Sequence, residues 1–235
     1  MNDFTVIMPC YIVNEELGKL TENAIQSFQQ THLIIIDNAS PVGGGYLRFE
    51  ADTYIRNQEN LGYAKAVNQG LKLANTEYVA IANNDIRVSP NWKEVAKEVL
   101  SEKDVYSCHF RMTDYDTPFE YGNSVIYRGK ERWCHGSFYV IKGEPLLLDE
   151  SYLNSYDDWD LFHRVRMSGK KQAYTDKACF QHKHSTTQQL IPEREENDRK
   201  NKEYFREKWG DYAENLFAKE FPKQMKEDYQ KGWTI

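Results

Sequence analysis

Short apolar runs alternate with amphipathic stretches through the first half of the chain, and this alternation limits the folds available to it. Three runs of buried-strand character occupy residues 5–8, 33–36 and 78–82. Between them, apolar residues recur every three or four positions over 17–28 and 64–74, which is the spacing of one helix face. Strands that alternate with helices in this way form βαβ units, so we predict a mainly parallel central sheet flanked by helices.

The second half of the chain has a different pattern. Segments 105–110, 120–127 and 134–141 are β-prone and are separated by turn residues, which predicts a smaller mixed or antiparallel extension of the sheet. We expect one helix to open at Ser89-Pro90 and another to run over 158–168, where Gly169 ends it. Aromatic and aliphatic residues at helical intervals after Pro192 predict a C-terminal helical tail. Since no repeat or flexible linker interrupts the chain, we predict one Rossmann-like α/β domain spanning 1–235.

Composition argues against several classes of protein. With 235 residues, 40% of them hydrophobic, the chain can bury a substantial core. Its four cysteines lie far apart without a CxxC pair, which argues against a zinc ribbon and a disulfide framework: Cys10, Cys108, Cys134 and Cys179. A net charge of −6 disfavours nucleic-acid binding. The N-terminus lacks a signal-peptide pattern, and no apolar run reaches the roughly 18 residues of a transmembrane segment, so we predict a cytoplasmic protein.

Two carboxylates stand where predicted strands give way to loops. Asp37 follows the second apolar run, and Asp85 follows the third through Asn83 and Asn84. Open α/β sheets bind ligands beyond the carboxyl ends of their strands. Asp37 could accept hydrogen bonds from a base or ribose, and Asp85 could hold Mg²⁺ or Mn²⁺ together with phosphate oxygens and water. Acidic residues at strand ends are also common turn formers, so each residue by itself has this second explanation.

A cluster of carboxylates marks the start of the predicted helix 158–168. It consists of Asp157, Asp158 and Asp160, three acidic residues in four positions. A helix N-terminus favours negative charge, which explains one or two of these residues as caps but not all three. An ionised aspartate within hydrogen-bond reach can take the proton of an attacking hydroxyl, so the cluster predicts a catalytic group.

Basic side chains supply two further candidates. His182 and His184 lie two residues apart after an apolar segment, so an extended strand would point both to one face. Imidazoles beside a carboxylate suit a metal, although paired surface histidines are common without one. Lys65 falls in the first turns of the predicted helix 64–74, where exposed amides and a lysine could meet a nucleotide; the alternative is a solvated lysine.

In their order along the chain, these segments resemble glycosyltransferase family 2, the inverting enzymes of the GT-A fold. The resemblance covers roughly 5–187. Residues 6–11 resemble the opening strand of the family with its Pro-x-Tyr-Asn ending, although Ile12 replaces the Asn. Residues 60–70 match a long family signature and are the most specific single match.

Two acidic motifs of the family also have counterparts. Asn83-Asn84-Asp85 takes the place of the Asp-x-Asp metal motif, with Asn at its first position. Asp157-Asp158-Trp159-Asp160 takes the place of the Glu-Asp-x-Asp motif, with Asp at its first position. The resemblance therefore implies that Asp158 is the catalytic base and that Asp85, with His182 or His184, binds Mn²⁺ or Mg²⁺.

The remaining site residues are carried over from the same motifs. Those implied to bind the nucleotide are Pro9, Tyr11, Asp37, Asn60, Gly62, Lys65 and Asn84. Those predicted to face the acceptor or the donor sugar are Trp133, His135, Gly136, Asp157 and Trp159. The two tryptophans flank the predicted base and could stack on a sugar, and core packing is the alternative for them. The resemblance divides the domain into a nucleotide-binding half (1–88), an acceptor-side half with the base (89–190) and the helical tail (191–235).

The implied function is transfer of a sugar from a UDP- or dTDP-sugar donor to an acceptor hydroxyl of a saccharide or glycan, by one inverting displacement. Glycan or surface polysaccharide biosynthesis is the expected setting, and a lipid-linked acceptor would be met by peripheral contact at a membrane surface. A dinucleotide-dependent reductase is the rival enzyme class, but the first strand lacks a following GxGxxG turn. A weak or inactive nucleotide- or glycan-binding module of the same fold is the other alternative, because Asn83 and Asp157 depart from the family motifs.

Overall fold

The computed structural model describes residues 3–128, 136–183 and 193–218. The chain divides into two compact units, Met1–Pro192 and Glu193–Ile235. The boundary lies two residues from the predicted start of the tail at 191. The prediction that one domain spans the whole chain is not tested by this division and stays a prediction.

The predicted βαβ units of the first half are confirmed. Their elements are β1 (Phe4–Cys10), α1 (Glu15–Ser27), β2 (His32–Asp37), α2 (Leu47–Glu50), β3 (Thr53–Arg56), α3 (Tyr63–Leu71) and β4 (Tyr78–Ala82). β1 and β4 are buried along their whole lengths, as expected of strands covered on both faces. These strands lie side by side in the order β3-β2-β1-β4 and run parallel, so all four end at the same edge of the sheet.

The second half extends this sheet with strands of both directions. Its elements are β5 (Ile86–Val88), α4 (Trp92–Leu100), β6 (Val105–Asp114), β7 (Val125–Arg128), β8 (Phe138–Lys142), α5 (Asp157–Met167) and β9 (Lys171–His182). β8 pairs antiparallel with β4 and β6, and β9 pairs antiparallel with β5 and β7. β6 and β9 run parallel, so the extension is mixed rather than wholly antiparallel.

The helix predicted to open at Ser89-Pro90 begins instead at Trp92. The Ser89 hydroxyl does not cap it, because this oxygen accepts the Cys179 amide at 3.1 Å and lies 2.9 Å from Asn91 Oδ1. Ser89 therefore joins the end of β5 to β9. By contrast, α5 ends as predicted, with Gly169 following at a positive φ of 77°.

Two apolar clusters hold the sheet and its helices together. On one face Trp92 meets Phe4, Phe28 and Phe138 with ring centroids 5.0, 5.7 and 5.6 Å apart. The other face buries α3 and α5 against the strands through residues that include Val67, Leu161 and Val165. Along β1, Val6 and Met8 enter the first cluster and Ile7 enters the second, because successive side chains of a strand point to opposite faces. This strand therefore contributes to the core on both faces of the sheet.

The second unit contains α6 (Arg194–Trp209) and α7 (Asp211–Ala218) in its described part. The tail was expected to form helix, and it does so as two helices separated at Gly210, whose φ is 46°. Within the described ranges, we find no helix that combines the length and apolar character needed to cross a membrane.

Candidate active site

The ends of β1 and β2 are joined to form one rim of the sheet. Cys10 pairs with Asp37 in the parallel register, and the Asn38 amide donates to the Cys10 carbonyl at 2.7 Å. One step further, the Ile12 amide donates to Ser40 Oγ at 2.9 Å. Pro9 is buried in β1 and Tyr11, just beyond it, is partly exposed. These contacts hold the two loops side by side where a ligand of an open sheet binds.

Asp37 lies at the end of β2 with no exposed surface. Its Oδ1 accepts the Ser40 amide at 2.8 Å, and its Oδ2 accepts the Tyr54 hydroxyl at 2.8 Å and the Arg56 guanidinium. Gly44 covers the same oxygen so closely that a Cβ there would lie 2.9 Å from Oδ2. Asp37 is thus at the predicted place, but its carboxylate is enclosed by the protein.

An amide network fixes the loop that precedes α3. The Asn38 side chain donates to Asn60 Oδ1 at 2.7 Å and to the Gly62 carbonyl at 3.2 Å. Gly62 has a φ of 86°, a conformation that glycine adopts without strain, and it directly precedes the first residue of α3. Asn60 and Gly62 therefore shape the helix start, while Lys65 is exposed on its first turn.

The segment after β4 brings a carboxylate to a histidine. Antiparallel pairing of Ile86 with His182 places Asp85 beside the end of β9, where Asp85 Oδ1 lies 3.1 Å from His182 Nε2. Both side chains are buried, with exposed fractions of 6% and 10%. The other ring nitrogen of His182 lies 3.5 Å from Ser137 Oγ. The predicted Asp85–His182 pair is therefore assembled by strand pairing.

Asn83 and Asn84 differ in what they face. The Asn84 amide donates to Thr21 Oγ1 of α1 at 2.9 Å, so this side chain is used in helix packing. Asn83 Oδ1 is buried and accepts no hydrogen bond from the residues that the structure describes. A buried acceptor without a donor is costly, which makes Asn83 a candidate ligand contact beside Asp85.

Asp158 lies in the first turn of α5, against Gly136. Its Oδ1 accepts the Trp159 amide at 2.9 Å, and the Gly136 backbone also hydrogen-bonds to its carboxylate. A Cβ at Gly136 would lie 2.7 Å from Asp158 Oδ2, so only glycine fits there. As a whole residue Asp158 is partly exposed, whereas its neighbour Asp157 is buried.

Burial perturbs both carboxyl groups at this helix start. It raises the pKa of Asp158 to about 6, opposed by the backbone hydrogen bonds from Trp159 and Gly136. Burial, followed by the nearby charge of Asp158, raises the pKa of Asp157 to about 8. A carboxylate with a pKa moved toward neutrality is a stronger proton acceptor than an ordinary aspartate.

Tyr63 connects the parts of the site. As the first residue of α3, it donates its hydroxyl to the Gly136 carbonyl at 3.2 Å, and its amide donates to Asn154 Oδ1 at 2.9 Å. Burial raises the pKa of Tyr63 well above its usual value, and the charges of Asp157, Asp158 and Asp85 raise it further. These three carboxylates are therefore close enough to Tyr63, the first residue of α3, for their charges to act on its hydroxyl.

Several residues that were predicted to belong to the site either lie outside the described residues or pack against a neighbouring side chain. Trp133, His135 and His184 lie outside the described residues, so their predicted roles stay predictions. Trp159 is partly buried and packs on Tyr156 with ring centroids 4.9 Å apart. Within 3–128, 136–183 and 193–218, no group of three or more His, Cys, Asp or Glu side chains is placed to hold a metal.

Comparison with known proteins gives a consistent picture. The model of one family, "Glycosyl transferase family 2", matches residues 5–167. "Glycosyltransferase GlyG" of Streptococcus pneumoniae serotype 4 (strain ATCC BAA-334 / TIGR4) is 26% identical over 162 residues, which are 66% of this chain and 50% of that protein. The chain thus spans about half the length of this curated relative.

Solved structures share the fold at low sequence identity. The mannosyltransferase PcManGT from Pyrobaculum calidifontis, in complex with GDP-Man and Mn²⁺, superposes with a TM-score of 0.57 at 19% identity, over 75% of this chain and 56% of that one. S. aureus TarS 1-349 in complex with UDP gives 0.60 at 13% identity, over 92% and 74%. The predicted α/β fold of a GT-A type, a mainly parallel sheet with flanking helices, is therefore confirmed.

Proposed function

Since the chain belongs to glycosyl transferase family 2, we propose that it transfers a sugar from a nucleotide-diphosphate donor to an acceptor hydroxyl, with inversion at the anomeric carbon. One observation carries the proposal. Asp158, at a helix start, lies against Gly136, and the adjacent residue Ser137 contacts the His182 that is paired with Asp85. A proton acceptor and a cation-binding carboxylate in one place suit attack by a hydroxyl on a phosphate-activated sugar.

The nucleotide is proposed to bind along the ends of the parallel strands. Pro9 and Tyr11 border this rim at β1, and Asp37 lies at the neighbouring strand end. Asn60, Gly62 and Lys65 surround the first turn of α3, and the N-terminal end of a helix favours phosphate. The Asn84 side chain is hydrogen-bonded to Thr21 of α1, so we propose that Asn84 contacts the nucleotide through its backbone alone.

Asp158 is the proposed catalytic base. Its carboxylate takes the proton of the acceptor hydroxyl as the hydroxyl oxygen forms a bond to the anomeric carbon, while the bond to the nucleoside diphosphate breaks. A single displacement of this kind inverts the configuration at that carbon. The hydrogen bonds from Trp159 and Gly136 hold the carboxylate in place.

Asp85 and His182 are the residues proposed to hold Mn²⁺ or Mg²⁺. A carboxylate and an imidazole fit such a cation when phosphate oxygens and water complete its coordination, and the unsatisfied Oδ1 of Asn83 adds a neutral oxygen beside them. The Ser137 hydroxyl, 3.5 Å from His182 Nδ1, can favour the tautomer whose Nε2 carries the lone pair. When bound, the cation would supply positive charge to the diphosphate leaving group.

Donor and acceptor follow from the family and from chemistry. We propose a UDP- or dTDP-sugar as donor, a saccharide or glycan as acceptor, and a role in the cytoplasm in glycan or surface polysaccharide biosynthesis. UDP and GDP-Man accompany the structural neighbours TarS and PcManGT, which makes GDP-sugars a necessary part of any screen.

The second candidate is a binding module of the same fold that does not turn the donor over. Asn83 favours it, since a neutral amide at this position binds a cation more weakly than a carboxylate. Incubation with a panel of UDP-, dTDP- and GDP-sugars and Mn²⁺, followed by measurement of released nucleotide, separates the two. Release of nucleotide from one donor supports the enzyme, whereas calorimetric binding of nucleotide without release from any donor supports the module.

A further inference from the structure

Asp37 has little capacity left to contact a nucleotide base. Ser40, Tyr54 and Arg56 all donate to its two oxygens. The side chain has no exposed surface, and the close approach of Gly44 leaves no gap above Oδ2. A base that donated to Asp37 would have to displace at least one of these donors from a buried carboxylate, which is energetically costly.

Arg56, unlike Asp37, has an exposed side chain. It is the last residue of β3, pairs directly with Asp37 in the parallel register, and leaves 47% of its side chain exposed. Its Nη1 donates to Asp37 and its Nη2 to the Ser40 carbonyl at 3.1 Å. A guanidinium carries five N–H donors. Among the described residues it bonds to Asp37, the Ser40 carbonyl and the Tyr54 hydroxyl, so at least two donors remain for a ligand at the rim of the sheet.

The place of Arg56 suits the base end of the proposed nucleotide. β3 and β4 are three strand spacings apart in the order β3-β2-β1-β4, which is about 14 Å at the usual separation of strands. Asp85, after β4, is proposed to lie at the phosphate end. A nucleotide extended along the rim from Asp85 therefore reaches the ends of β2 and β3 with its base.

We propose that Arg56 reads the nucleotide base and that Asp37 is a positioning residue that holds its guanidinium. This inference rests on the proposed nucleotide site. A side chain that only donates hydrogen bonds favours bases with carbonyl acceptors, such as O4 of uracil and thymine or O6 of guanine. It disfavours the amino groups at the same positions of cytosine and adenine, because these are donors as well. Contact of the base with Asp37, as the family resemblance implies, would instead require a donor such as the uracil N3–H.

Calorimetry with Mn²⁺ and two nucleotide pairs that exchange a ring carbonyl for an amino group, UDP with CDP and GDP with ADP, tests this assignment. The wild-type protein should prefer the carbonyl-bearing member of its better-bound pair by about tenfold or more, as expected for a hydrogen bond to a charged group. Arg56→Gln should bring that ratio close to one. Arg48→Gln is the matched control, since it removes an exposed arginine from nearby α2 and should leave the ratio unchanged.

The role of Asp37 has its own readout. Asp37→Asn should lower the same ratio, and the double variant Asp37→Asn/Arg56→Gln should be no worse than Arg56→Gln, because Asp37 acts through Arg56. Two independent effects that add would contradict this arrangement. A further measurement needs no variant. If the protein prefers uracil, N3-methyl-UDP should bind within about threefold of UDP, because Arg56 donates to a carbonyl and does not need the N3–H. If the protein prefers guanine, N1-methyl-GDP is compared with GDP in the same way.

The outcomes separate the two proposals. A tenfold or greater loss on methylation, or a base preference that survives Arg56→Gln, overturns the assignment of Arg56 and leaves the nucleotide site intact. A preference of the wild-type protein for CDP or ADP overturns it as well. A protein that binds neither these four nucleotides nor dTDP refutes the proposed function together with this inference.

Discussion

Replacement of Gly136 by alanine should slow sugar transfer by moving the base. The added Cβ would lie 2.7 Å from Asp158 Oδ2 and 2.8 Å from Asp158 Cβ, where ordinary contacts begin at 3.4 Å. The carboxylate must therefore shift by about 0.7 Å, and misplacement of a reacting group by about 1 Å can cost about 100-fold in rate. We expect kcat of Gly136→Ala to fall between about 10- and 100-fold.

Initial rates of nucleotide release at saturating donor measure this effect, and calorimetry with the free nucleotide tests whether its site is intact. Gly18→Ala is the matched control, because its Cβ would meet only Ile12 Cγ2 at an ordinary 3.8 Å in the first turns of α1. We expect wild-type rates from this control. A wild-type kcat in folded Gly136→Ala would refute the placement of the base, and an equal loss of nucleotide affinity would show that the substitution acts on binding.

Three further results follow from the same geometry. Because the base acts in its ionised form and its pKa in the free protein is raised to about 6, kcat/KM should be constant above this pH and fall about tenfold per unit below it; a kcat/KM profile that is flat down to pH 4.5 would exclude Asp158. Burial raises the pKa of Asp157 from 3.8 to about 8, so the carboxyl disfavours folding increasingly as pH rises between these values. Asp157→Asn should therefore raise Tm by about 2 °C or more at pH 8 and lose this advantage near pH 4, and scanning calorimetry that finds no such dependence would contradict the burial. His182→Ala should raise the Mn²⁺ concentration needed for half-maximal nucleotide release by about tenfold or more, as expected on loss of a metal ligand, whereas an unchanged titration would remove His182 from the cation site.

The strand ends of the first half could be predicted because their signals are local. An apolar strand followed by polar residues identifies each strand end, and parallel strands bring these ends to one edge, so Asp37 and Asp85 were placed correctly. The Asp85–His182 pair needed the added knowledge that the two segments belong to one site. Family motifs supplied that knowledge, and the pairing of β5 with β9 supplies the physical reason.

Other contacts depend on pairings that no local pattern encodes. Tyr63 and Gly136 are 73 residues apart and meet only through the packing of α3 against the loop before β8. Arg56 is the last residue of a weakly apolar strand, and its partner Asp37 is 19 residues earlier, so the sequence indicated a carboxylate at the rim without its cation. Asn84 was assigned to the nucleotide from its motif, whereas its side chain packs on α1 through Thr21.

The central claim, that Asp158 is the base of a sugar transfer, is tested most directly by nucleotide release from the accepted sugar donor in wild-type protein and in Asp158→Asn. Asn keeps the size of the side chain and an oxygen for the Trp159 amide but cannot take a proton. The account predicts that Asp158→Asn loses about 100-fold or more in kcat while it binds the nucleotide with wild-type affinity. Wild-type turnover by Asp158→Asn would contradict it.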